Sequence, residues 1–378
     1  MLTVRNLAGA AIASTLLLTG CTVGPRQAAP ISQAKPAAAS AEPQIAAKPF
    51  LEKVTVGEFT QEKAVTSSPA MPPAYKRFFE AGSFGPVIPG LKQGLVPQGI
   101  TYMPEQNWAV FASYRYDGGA STLSVVDLAT GKLIKTLKMF ENDSTPYKGH
   151  AGGITASASH LWVGSENLVR AISLKDIVQA EDGGHVVFNE KFKPEKKASF
   201  IAYSSDGVLW AGDFYDTPNP TAERHLMQST DKKAYKAWTV GYRLDSATDL
   251  PRKETPSDSG RLVPDYIFSI TDKIQGFAVS QGKVLLSQSA GRSNDSQLLI
   301  YRDVRSEKPH AQVKLADREV PLWFLDGSDL KDQLAMPPMS EGLQPVGSQV
   351  AVTFESGAGI YSSAGKYPMD QVYFFKAN

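Results

Sequence analysis

Five short phrases in this chain read as copies of one another: Pro97-Gln98-Gly99-Ile100, Gly152-Gly153-Ile154, Ser199-Phe200-Ile201, Gln275-Gly276-Phe277 and Glu341-Gly342-Leu343. Each sets a small or polar residue, usually followed by Gly, ahead of a large apolar one. Fourteen or fifteen residues later an apolar run ends in polar residues: Trp108 to Ser113, Leu161 to Glu166, Leu209 to Phe214, Val284 to Ser289 and Val350 to Glu355. Self-similarity at a nearly fixed offset, recurring at intervals too long for a hairpin array, is the mark of a propeller or solenoid. The expectation is an all-β protein forming a single β-propeller of five blades. Six would result if the pieces between Tyr242 and Phe268, or Val320 to Leu325, built another blade.

The first copy is the clearest. Ile100 to Met103, Trp108 to Tyr114, Ser121 to Leu128 and Leu133 to Phe140 alternate as four strands, with the Gly-containing turn Ala129 to Lys132 joining the last two. The second copy supplies Val186 to Phe188 as its outer strand, and the fourth supplies Ala311 to Leu315. The third is interrupted by Thr217 to Lys236, a polar insertion expected to form a surface loop or lid. The fifth has only three strands, so an N-terminal strand is expected to close the ring. Lys53 to Thr60, which alternates, is the candidate. A short helical turn is expected around Ala74 to Ala81.

Residues 1–20 read as an export signal, with Arg5 at its start and twelve apolar or small residues from Leu7 to Leu18, too few to span a bilayer. Leu18-Thr19-Gly20-Cys21 resembles the lipobox of bacterial lipoproteins, which implies an acylated Cys21 and a membrane attachment through it. Cys21 is the only cysteine, so the body carries no disulfide and no cysteine-based metal site. Thr22 stands where the family's inner-membrane retention signal would be Asp, which points to the outer membrane, facing the periplasm. Residues 21–49 are the lipidated Cys and a tether of Ala, Pro, Ser, Gln and Lys, too poor in large apolar side chains to offset its ordering entropy. Residues 50–378 form the propeller.

With a net charge of +1 and interspersed signs, nothing recommends nucleic acid as a partner. HExxH, GxSxG, Walker and CxxC motifs are absent from the sequence. The chemistry therefore has to come from the repeats. All inner strands of a propeller run the same way and the second strands run antiparallel to them, so both recurring phrases meet at one mouth of the channel. The inner strands bring Gln98, Ser199, Gln275 and Glu341, with His150 just ahead of Gly152. The second strands bring Tyr114, Arg115, Glu166, Asp213, Tyr215, Arg292 and Glu355. A concave mouth with a few converging polar groups is the default binding site.

Within this ring His150, flanked by small residues, is the candidate acid or base, with a hydrogen-bonded structural role as the competing reading. His160, His185, His225 and His310 are expected at the surface. Glu341 beside the channel requires a cation, an arginine or water to offset its desolvation, with Arg115 or Arg292 as the arginine. A carboxylate-rich mouth suits Ca²⁺ or Mg²⁺ better than zinc. Three functions follow from this reading. One is a binding protein for a small molecule, peptide or divalent cation at the mouth, and another is a cation-dependent hydrolase or lyase. The last is a scaffold for an envelope protein, which would present an apolar patch away from the channel.

From about Val96 to Phe375 the layout resembles the bacterial propellers that include the gluconolactonase/senescence-marker family, the paraoxonases and the streptogramin lyases. Ser340-Glu341-Gly342-Leu343 is similar to the Glu-Gly phrase with which the lactonase family supplies a metal-binding glutamate, which would make Glu341 the ligand. Gln98, Gly152, Ser199 and Gln275 stand where that family's metal-binding Asn and Asp would be sought. The Pro-Gln-Gly, His-x-Gly-Gly and Ser-Glu-Gly phrases also resemble a group of secreted bacterial propellers, which implies a fold and no activity.

Overall fold

A computed structural model describes residues 42–376 apart from 67–68, 219, 253–259 and 364. The export signal, Cys21 and most of the tether lie outside the described residues. Five antiparallel sheets stand around a channel, each offering its first strand to the centre. From the channel outward, blade 1 is Leu95–Met103, Trp108–Arg115, Thr122–Asp127 and Lys132–Asn142. Blade 2 is Gly153–Ala156, His160–Ser165, Leu168–Ser173 and Glu190–Phe192. Blade 3 begins Phe200–Ser204, Val208–Gly212, Ala237–Arg243 and Tyr266–Ile270. Blade 4 is Ile274–Ser280, Lys283–Gln288, Ser296–Arg302 and Leu330–Met336. Blade 5 is Ser340–Val346, Gln349–Phe354 and Gln371–Lys376, completed by Gly82–Val87.

The core is a set of layers between blades. Val208 and Trp210 of blade 3 pack with Phe277 and Leu286 of blade 4, while Leu209 and Ala211 turn to Trp162 and Ala171 of blade 2. A second strand thus buries both of its faces, which explains why these strands are continuous apolar runs instead of alternating ones. Trp162 and Trp210 are both fully buried in these layers, as inter-blade packing requires.

The glycine of the repeated phrase lets inner strands approach backbone to backbone. A Cβ on Gly99 would stand 2.7 Å from the Ile154 nitrogen of blade 2, and one on Gly276 would stand 2.5 Å from the Glu341 carbonyl oxygen of blade 5. A ring of five blades leaves no room at these points for a side chain. Three of the phrases also carry a β-bulge, at Pro97/Gly99, Ile274/Gly276 and Ser340/Leu343, so Gln98, Gln275 and Glu341 are the extra residues that fall outside the ladder.

Several sequence expectations are corrected. An N-terminal strand does close the ring, but it is Gly82–Val87, paired with Gln371–Lys376. Lys53 to Thr60 cannot do this because Gly57, at φ 58°, folds the segment into a small hairpin of Val54–Val56 and Phe59–Gln61. That hairpin wedges between the last and first blades, where buried Gln61 donates to the Val87 and Gly131 carbonyls and accepts from Leu133. His185–Val187 leaves blade 2 and pairs parallel with the outer strand of blade 1. Ala311–Leu315 leaves blade 4 too: with Arg318–Phe324 it forms a hairpin that extends blade 3 to six strands. The segments that could have built a sixth blade are thus the outer part of blade 3. The expected helical turn is present as Pro73–Tyr75 followed by Lys76–Glu80.

Candidate functional site

At the mouth, Gln98 Nε2 donates to Glu355 Oε2 at 2.9 Å, and Gln275 Nε2 donates to Glu341 Oε1 at 3.1 Å. The two bulged glutamines thus hold the two carboxyls. Glu341 is buried and Glu355 partly open. Burial pushes Glu341 well above the ordinary carboxylate range, and the neighbouring Glu355 adds to the shift. Burial likewise raises Glu355, to about 7, against the opposing pull of Gln98 and Arg292. Amide donors cannot neutralise a carboxylate as a cation would, so proton uptake lowers the local charge instead. Glu355, raised to about 7, is poised between its two forms at neutral pH.

Above these acids stands a wall of rings. Tyr114 stacks on His150 with centroids 4.7 Å apart and shares a 3.2 Å hydroxyl contact with Tyr361. Arg292 lies 4.7 Å over the Tyr361 ring, close enough to act on Glu355. Burial raises the Tyr114 hydroxyl, with Tyr361 and the two acids adding to the effect, so it is a neutral donor. His150 is exposed, yet the protein around it lowers its affinity for a proton, opposed by Glu166.

The remaining expected residues take other places. Arg115 turns away from the acids to pair with Glu58 and Asp117 and to cover Phe59, so the buried pair with Glu341 does not form. Ser199 is half-buried and donates its backbone NH to Gly212. Glu166 is exposed at φ 55°. Tyr215 packs at the edge of the core between blades 3 and 4, with Lys236 5.3 Å over its ring. Asp213 is buried beneath the blade 3 insertion, where Lys196 Nζ lies 2.8 Å from one carboxylate oxygen and His225 Nδ1 lies 2.8 Å from the other. His225 is buried and stacked on Trp238 at 4.1 Å, contrary to the expectation of a surface histidine. The insertion folds back over the end of its own strand and carries the histidine inward. His160, also not free on the surface, is half-buried against Asp249.

Tyr361 was missed by the sequence reading, although the signal existed. Every connection from a second to a third strand returns to this mouth, and Phe354 to Gln371 is one of them. Among the described residues, no group of three or more His, Cys, Asp or Glu side chains gathers as a metal would require. The acids at the mouth are the two carboxyls of Glu341 and Glu355, each held by a glutamine amide. A groove of about 500 Å³ lies elsewhere, on the face opposite the mouth. Its acids Asp332 and Glu80 are partnered by Arg77 and Lys76.

No family model matches the sequence, and no curated protein matches it. Among solved structures the chain is similar to the glutaminyl cyclase of Myxococcus xanthus, at 9% identity and a TM-score of 0.37, over 76% of this chain and 94% of that one. It is also similar to a Thermus thermophilus protein described as a glucose dehydrogenase, at 11% identity and a TM-score of 0.34, over 74% and 96% of the two chains. Kuenenia stuttgartiensis hydrazine synthase is matched at 11% identity and a TM-score of 0.31, over 74% of each chain. At such identities the likeness concerns the propeller fold alone.

Proposed function

We propose that this chain is a lipid-anchored propeller of the cell envelope, attached through Cys21, that binds a small molecule at the channel mouth. Glu355 is the contact on which recognition turns. The observation that carries this reading is a partly open carboxyl that burial raises to about 7, beside a cluster of Tyr114, His150, Arg292 and Tyr361. A carboxyl so placed can accept from a hydroxyl or an amine, while Arg292 and Tyr114 donate.

The same observation favours a second reading, a hydrolase or lyase, because a base is most effective when it titrates near the working pH. There Glu355 would take the proton, with His150 as the partner acid or base.

Thermal melting against a panel of sugars, lactones, amino acids and amines tests the site. A ligand raises the melting temperature of the wild type by mass action, and the rise is lost in Glu355→Gln. Equal rises in both proteins would place the ligand elsewhere. Cys21→Ala should release the protein from the membrane fraction.

A further inference from the structure

The described chain begins on the face opposite the mouth. Residues 42–50 cross the hairpin turns of blades 5 and 1, which point away from the mouth. Gln44 exchanges bonds with the Asn107 side chain at 3.2 and 2.8 Å, and the Ala46 NH reaches the Leu128 carbonyl at 2.9 Å. Pro43 sits so close to Gly347 that a Cβ there would stand 2.7 Å from it. Whatever precedes residue 42 therefore departs from this face.

The groove of about 500 Å³ opens on the same face, at the seam between blades 4 and 5. Its rim carries Arg77, Lys283, Lys331 and Lys376 against Glu80 and Asp332, over an apolar floor that includes Phe375. Lys283 is engaged by a partner of its own, which leaves Lys331 and Lys376 as the cations to consider. Arg77 already holds both Asp332 oxygens, at 3.0 and 2.7 Å, and Lys76 stands 3.6 Å from Glu80. Lys331 and Lys376 are exposed and have no ion pair among the described residues. A positive rim with its acids already engaged suits an anionic surface.

We propose that this face docks on an anionic lipid surface, with the groove cations against phosphate headgroups and the mouth directed away from the membrane. The proposal rests on the acylated Cys21 for the nearness of the membrane. The anchor alone would not orient the body, because the twenty residues between Cys21 and residue 42 can extend to about 70 Å. The cations on the groove rim supply the orientation. Juxtamembrane lysines and arginines gain from anionic lipid within a Debye length, and salt removes that gain.

The test uses the chain beginning at position 21 with Cys21→Ala, so that no lipid anchors it. It is co-sedimented with vesicles of phosphatidylcholine alone or mixed with phosphatidylglycerol, at low and high salt. Binding is expected only to the phosphatidylglycerol vesicles and only at low salt. Each lost cation should weaken it about fivefold, so Lys331→Glu with Lys376→Glu should weaken it by well over an order of magnitude. Both side chains are exposed, and an unchanged melting curve would show that the double variant still folds. Glu355→Gln should bind vesicles as the parent does. Equal binding to neutral vesicles, or no effect of the reversals, would overturn the docking. Labelling of the full chain with a palmitate analogue, lost in Cys21→Ala, tests the anchor separately. Labelling without charge-dependent docking sinks the docking alone; docking without labelling sinks the anchor.

Discussion

Two buried acid sites in this molecule have opposite chemistry. Under the blade 3 insertion, burial would raise Asp213, but Lys196 and His225 more than offset it and leave the carboxyl below its ordinary range. At the mouth, Glu341 and Glu355 are also desolvated, but their hydrogen-bond donors are the amides of Gln275 and Gln98, and both are raised. At the first site both carboxylate oxygens of Asp213 are engaged by cationic or imidazole partners. The other retains an unmet demand for a donor or a cation, and it is the one that opens to solvent. Burial alone therefore does not decide whether an acid is raised or lowered; the charge of its partners does.

The largest test of this contrast is Asp213→Ala. It strands Lys196, whose ammonium burial already pushes down to about 8, and should cost about 3–5 kcal/mol in denaturant unfolding. A small loss would mean that the ion pair is not what holds the insertion. At the mouth the sign reverses. Glu355 has its pKa raised from 4.5 to about 7 on folding, so its charge opposes the fold progressively as pH rises between those values. Glu355→Gln should consequently be more stable than the parent by roughly 2–3 kcal/mol at pH 8, with no gain at pH 4. A parent and variant with parallel pH profiles would refute the raised acid.

Gly276→Ala places a methyl against the Glu341 carbonyl and should cost roughly 1–3 kcal/mol while altering that pH profile. The blade 3 site should be unaffected by it. The smallest effect concerns His225, whose pKa burial holds below the ordinary 6.5 despite Asp213. The folded form then binds protons less readily than the unfolded one. Stability should be whole above about 6.5 and decline as pH falls below it. Limited proteolysis of residues 214–236 at pH 5.5 and 7.5 would show where the loosening occurs.

The five-blade fold was legible because its cause is local. An inner strand pressed backbone to backbone against its neighbour needs Gly99, Gly153, Gly276 or Gly342, and a strand buried on both faces needs an unbroken apolar run. The closing strand was misassigned because Lys53 to Thr60 and Gly82–Val87 differ less in pattern than in reach, and reach is a property of the assembled ring. Placing the ends of both strands at one mouth was enough to gather Gln98, Gln275, Glu341 and Glu355. Which of the acids meets solvent was not legible, since it depends on which bulge projects and which strand end lies above it. His225 was missed because a loop that folds back inward leaves no periodic trace. Arg115 was misassigned for a related reason: Glu58 and Asp117, which capture it, lie in a hairpin and a turn that the repeat does not contain.

The hairpin Ala311–Leu315 and Arg318–Phe324, which the chain lends from blade 4 back to blade 3, also sets an order of assembly. A protein made from its N-terminus cannot finish blade 3 until residue 324 has been synthesised, by which point three strands of blade 4 are already available. Gly82–Val87 receives its partner in blade 5 only once residues 371–376 have been synthesised. The two strand exchanges interlock neighbouring units, so deleting a single blade should abolish folding instead of yielding a smaller ring.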